Sequence, residues 1–198
     1  MALAVIARGC SVAVPSFADM GTRQSAAEVA LPEQHLRAVL QGLPRTAAAL
    51  HTLMTVGPDA RQPLFRHVGD AAAQIDDARV ALMATVSELP QYRRGAAIRV
   101  AQTASLLGSL MVAVARVAAQ GRPEPLPAEC RRRAHAIVGL TDRAVITLPR
   151  QRIAAAADDD EAGMLEPDAA VVLPLLTAAS VHLDRLMVVL TGGPPHWQ

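Results

Sequence analysis

Six histidines, His35, His51, His67, His135, His182 and His196, are the first residues to ask for chemistry. None forms His-x-x-x-His and none stands three residues after a glutamate, so their spacing excludes a di-iron carboxylate bundle. His182, beside Asp184 and Arg185, reads as a boundary residue at the edge of a helix core. Cys10 and Cys130 are far apart, and two such thiols make neither a disulfide framework nor a metal site by spacing; a reduced cytosolic setting is the expectation. There is no Gly-x-Ser-x-Gly elbow, no Walker loop and no Gly-x-Gly-x-x-Gly, and carboxylates pair only as adjacent surface residues such as Asp76 and Asp77. The run Asp158-Asp159-Asp160-Glu161, with Gly163, lacks the alternating ligand positions of a calcium loop. Arg131-Arg132-Arg133 opens a helix, where basic residues oppose the dipole. It reads as a solvated charge run, or as a patch for an acidic lipid, an acidic protein or the Asp158–Glu161 run. The sequence therefore assigns no catalytic, cofactor-binding or metal-ligating residue, and the expectation is a protein that is not an enzyme.

The elements behind these residues are helices. Hydrophobic residues make up 52% of the 198, yet the aromatic ones are only Phe17, Phe65, Tyr92 and Trp197. A core built from Ala, Leu, Val, Ile and Met suits close helix packing better than a sheet, and no window alternates over a strand length. The chain has no lysine, which with abundant Ala reads as coding bias. A net charge of +1 argues against a general nucleic-acid binder. A chain this long buries roughly 70% of its unfolded surface, enough for one domain.

Gly followed closely by Pro punctuates the chain at Gly57-Pro58, Gly121-Arg122-Pro123 and Gly192-Gly193-Pro194. Glycine accepts the left-handed cap and proline then forbids continuation. These stops predict helices over 31–56 (with Pro44 as a kink or break), 63–89, 91–120, 127–148 and 168–191. Leu64, Val68, Ala71, Ile75, Ala78, Leu82 and Leu89 step by fours and threes, broken only at Thr85. Val172, Leu176, Ala179, Leu183, Leu186 and Leu190 do so without a break. In the third helix Val100, Ala104, Leu107, Met111, Val114 and Ala118 form one stripe, and Leu106, Leu110 and Ala113 widen it past half the circumference. That predicts an all-α antiparallel bundle of about five helices, with the third most buried. Asp76, Asp77, Arg79, Arg93, Arg94 and Arg99 fall off the stripes and are expected in solvent.

Residues 1–30 read as a loosely docked leader, although Ser16-Phe17-Ala18 loosely fits a signal-peptide cleavage site. Residues 31–191 form the single bundle domain with an acidic loop at 149–167, and 192–198 a tail. The longest uncharged runs, Val100–Ala115 and Ala169–Leu183, fall short of the ~20 apolar residues that cross a bilayer and read as core helices.

Two stretches resemble known families. The run Arg133-Ala134-His135-Ala136-Ile137-Val138-Gly139-Leu140 resembles the phosphorylatable helix of histidine phosphotransfer domains, which implies a phosphoryl carrier at His135. Val138 stands where that family has a lysine, so the phosphoryl group would lack its cation on a face carrying Ile137 and Val138. More extensively, residues 31–148 resemble the soluble helical part of the fusaric acid resistance (FUSC) family of bacterial inner-membrane proteins, which includes the aromatic acid exporters. The resemblance lies in Ala71-Ala72-Ala73-Gln74-Ile75-Asp76-Asp77-Ala78-Arg79, in a helix opening at Arg93-Arg94 and running through Leu106-Leu107 to Val114, and in the Pro123–Pro127 turn leading to Cys130-Arg131-Arg132-Arg133. It implies a cytoplasmic bundle that regulates or assembles a membrane permease through protein contacts. This chain departs from the family in having no membrane-spanning block, so no transport residue carries over and no cofactor or small-molecule ligand is implied. The expected partner is another protein, a membrane protein among the options, or a second copy, with no nucleic acid. A free-standing adaptor, chaperone-like or secreted interaction protein is the alternative.

Overall fold

A computed structural model of the chain describes residues 17–120, 126–155 and 166–192, with side chains described at 31–120, 126–147 and 169–192. Five α-helices account for nearly all of them: α1 (Phe17–Thr55), α2 (Pro58–Thr85), α3 (Gln91–Gln120), α4 (Ala128–Ala155) and α5 (Glu166–Thr191). A 3-10 turn, Val86–Glu88, joins α2 to α3, and no strand occurs among the described residues. The all-α bundle expected from the seams is thus the fold. The first sixteen residues, Cys10, the acidic run Asp158–Glu161, and the tail with His196 lie outside the described residues.

The seams drive the packing. Val68, Ile75 and Leu82 of α2, and Val172, Leu176, Ala179, Leu183 and Leu186 of α5, are all buried. A third seam runs along α1 through Leu36, Leu40, Leu43, Ala47, Leu50 and Met54, all buried in the same four-three rhythm. It explains why α1 ignores its prolines. Pro32 and Pro44 both lie inside the helix, where each costs about 3 kcal/mol. A fully buried leucine returns roughly 1.5–3 kcal/mol, so two of them offset one proline and, of the kink or break expected at Pro44, the break does not occur.

The break in the α2 seam has the opposite outcome. At Thr85 the helix ends, four residues short of the expected Leu89. The Thr85 hydroxyl donates to the carbonyls of Ala81 and Leu82, satisfying the last turn from within. Arg94 then closes the turn, its Nε donating to the Leu89 carbonyl at 2.7 Å and an Nη to that of Ser87 at 2.5 Å. At the other end Gly57 is extended and Pro58 opens α2, where a missing N–H costs nothing. Gly192, at φ +67°, caps α5, its N–H donating to the Val188 carbonyl.

The helices pack in a ring, α1–α2–α3–α5–α4 and back to α1, with α1 also touching α3 across the middle. Sequential neighbours joined by short turns run antiparallel. The third helix is therefore not a lone centre as expected: α1 and α3 each touch three other helices, and the core lies between them. Ile75 of α2 is the key between them: a Cβ on Gly42 of α1 would lie 2.5 Å from Ile75 Cγ1, and one on Gly108 of α3 3.3 Å from its Cδ1. Two glycines thus let three helices approach at one side chain.

One expectation about α3 fails. Its main stripe is buried, but Leu106, Leu110 and Ala113 face outward, Leu106 at 67% exposure against 1% for its neighbour Leu107. The seam is saturated by α1, α2 and α5, and a helix packed on one side has no partner left for its far face.

Candidate functional site

Polar groups collect at one end of this bundle, where α1 ends, α2 and α4 begin and the second half of α5 passes. Arg61, in the second turn of α2, is only 1% exposed. The stripe itself put it there: Arg61 precedes Leu64 by three and Val68 by seven, so the seam continues inward through an arginine. Cys130 of α4 is fully buried and within the field of Arg61 and Arg133. Burial pushes its thiol up, with the nearby Glu129 carboxylate adding to that, against weaker opposing pulls from Arg133 and Arg61. A thiol so placed is a protonated core residue rather than a nucleophile.

Glu129, in the first turn of α4, organises the surface of this end. Its Oε2 accepts from Arg132 Nη2 and its Oε1 from Arg133 Nη2, each at 2.5 Å, and hydrogen bonding to Arg132 holds its carboxyl below the ordinary range. An acid in the first turn answers the dipole that the arginines oppose. Of the triple-arginine run, Arg131 and Arg132 are exposed while Arg133 turns inward, its Nε buried without a hydrogen-bond partner among the described residues.

His182 of α5 faces the same group. It is half-buried, as its boundary position implied, and its Nδ1 is buried without a hydrogen-bond partner among the described residues. Burial first, then the charges of Arg133 and Arg185, lower its pKa, outweighing Glu129. These surroundings favour the neutral imidazole.

The remaining histidines divide. His67 is exposed and His35 half-buried, each away from the group. His51 of α1 and His135 of α4 meet, ring centroids 5.6 Å apart and tilted at 54°. His135 is exposed, but Ile137 is not on its face as expected: α4 buries Cys130, Ala134, Ile137, Thr141 and Ala144 as its own seam, with His135 outside it. Thr141 lies in that seam because its hydroxyl donates back to the carbonyls of Ile137 and Val138.

At the opposite end, Arg93 and Arg94 depart from the expectation of solvated charge. Arg93 donates to Glu33 of α1 at 3.2 Å, both side chains mostly covered, and Arg94 caps the α2–α3 turn. Asp76 and Arg79 do form an exposed pair, with Ser105 of α3 donating to the same carboxylate; the Arg79 and Ser105 hydrogen bonds lower the Asp76 pKa.

No group of three or more His, Cys, Asp or Glu side chains gathers as a metal site among the described residues. Comparison with family models, curated proteins and solved structures finds no match to this chain.

Proposed function

We propose that this protein is a non-enzymatic helical bundle that acts through protein contacts, docking the apolar outer faces of α3 and α5 against the helices of a membrane-associated partner. The observation that carries the reading is apolar surface in excess of what the core uses. Contrary to the expectation that their uncharged runs fall short of a span, both α3 and α5 contain 18-residue stretches apolar enough, by length and composition, to cross a bilayer, yet only 44% and 28% of those stretches are buried in the bundle. The surplus includes Leu106 and Leu110 on α3, and Val171 and Val181 on α5. The two helices pack against each other, and clustered exposed apolar side chains mark interaction sites. The most concrete version is a FUSC-like cytosolic domain, held at the inner membrane by the permease it serves; the free-standing adaptor, chaperone-like or secreted protein is its rival.

The permease reading predicts a neighbouring reading frame that encodes hydrophobic helices, and co-expression with its product separates the two. The permease reading expects recovery in the membrane fraction, lost on Leu106→Asp/Leu110→Asp while helicity is retained. Recovery in the supernatant whether or not the membrane protein is present would favour the adaptor. A second reading rests on the exposure of His135 on a bundle helix. It makes His135 a phosphoryl carrier, and incubation with acetyl phosphate that leaves His135 unlabelled disposes of it.

A further inference from the structure

Beyond that reading, the geometry points to a divalent transition-metal site bridging α1 and α4 through His51 and His135. The two residues are 84 positions apart in sequence (135 − 51), so no spacing motif announces them; only the packing of α4 on α1 brings them together. An imidazole nitrogen lies about 2.0–2.1 Å from a bound zinc ion and its ring centre about 1.1 Å behind, so two imidazoles sharing one ion at a tetrahedral to trigonal angle have centres about 5.1–5.5 Å apart. The observed separation is 5.6 Å, with rings tilted rather than stacked. The observed separation thus lies within a few tenths of an ångström of that range.

The surroundings suit an exchangeable ion rather than a structural one. His135 is exposed and His51 half-exposed, so an ion reaches the pair without opening the core. Among the described residues no third Cys, His, Asp or Glu completes the set, which leaves the remaining positions to water. Arg131, one turn before His135, and Asp142, two turns after it, are both exposed and screened by solvent. Two imidazoles with water select late first-row ions, namely zinc, nickel and copper, over calcium or magnesium. The ion would clamp α1 to α4 at the end of the bundle where Arg61, Cys130 and His182 lie.

The test is a calorimetric titration of the full chain with nickel chloride at neutral pH, beside His51→Gln, His135→Gln and the exposed control His67→Gln. One ion per chain is expected, with affinity falling about 10²-fold in each of the first two variants, because losing either ring removes the chelate. His67→Gln should match wild type. In the wild-type chain, nickel should broaden the ring-proton resonances of two histidines and leave the others sharp. A loss under about threefold in either His51→Gln or His135→Gln, or an equal loss in His67→Gln, overturns the proposal. His135 is outside the seam, so His135→Gln folds and keeps the test decisive even if His51→Gln does not.

Discussion

The middle of the bundle and its polar end solve the same problem, helix association, by different physics. In the middle, Ile75 slots between Gly42 and Gly108, with Leu40, Leu43, Leu107 and Met111 fully buried nearby in sequence on the same helices. Cohesion there is apolar and depends on shape, since a methyl group in the wrong place has nowhere to go. At the end, Arg61 is buried with Cys130 in its field, and Cys130 and His182 both feel Glu129 and Arg133. Cohesion there depends on charge placement and on which groups stay neutral. The comparison teaches that the four-three rhythm fixes which positions go inside, while the residue found there decides what the position is sensitive to: volume in one region, protons and ions in the other.

The largest effects should come from emptying the apolar middle. Leu82→Ala or Leu183→Ala should each cost about 2–5 kcal/mol by chemical denaturation; a cost below about 0.5 kcal/mol, typical of exposed sites, would put the seams on the wrong faces. Overfilling comes next. Gly42→Ala drives a Cβ onto Ile75 and should cost about 1–3 kcal/mol. Gly139, midway along α4 with open space around it, is the control of opposite sign: Gly139→Ala should gain about 0.5–1 kcal/mol from helix propensity alone. If both glycine variants shift stability the same way, close approach at Gly42 is not what distinguishes the middle.

The polar end should announce itself through pH. Burial favours neutral His182 in the folded state, so the unfolded chain binds more protons and stability rises with pH across the histidine range. The stability this group supplies is present above its unfolded value, about 6.5, and is lost as the pH falls below it. Denaturant midpoints at pH 7.5 and pH 5 should differ more for wild type than for His182→Gln, while Leu183→Ala, one residue along, shifts both midpoints together. Identical pH slopes in wild type and His182→Gln would remove the distinction between the two regions.

Much of this was legible in the residues. The seams of α2 and α5 and the Gly-Pro stops set five helices, and Thr85, the lone interruption in one seam, marks where α2 ends. Four things were missed. Whether Pro44 would kink or break the helix was open because propensity is local, whereas the burial that carries α1 past it is summed over the whole seam. Leu106 and Leu110 looked like core because periodicity cannot say how many partners a helix has, and α3 has no neighbour on that face. Arg61 was in register with the stripe and could have been found by continuing the count one step backwards through a charged residue. The His51–His135 pair carried no sequence signal, since it exists only through the placement of α4 on α1.

The two-sidedness of α3 underlies both the packing and the proposed docking face, and adjacent residues test it. In a background with Cys10→Ser and Cys130→Ala, single cysteines at Leu106 and Leu107 would be reacted with a maleimide under native conditions. Leu106→Cys should label as fast as a free thiol, and Leu107→Cys only through opening of the bundle, orders of magnitude more slowly. Equal labelling rates at the two positions, with helicity intact, would contradict the account.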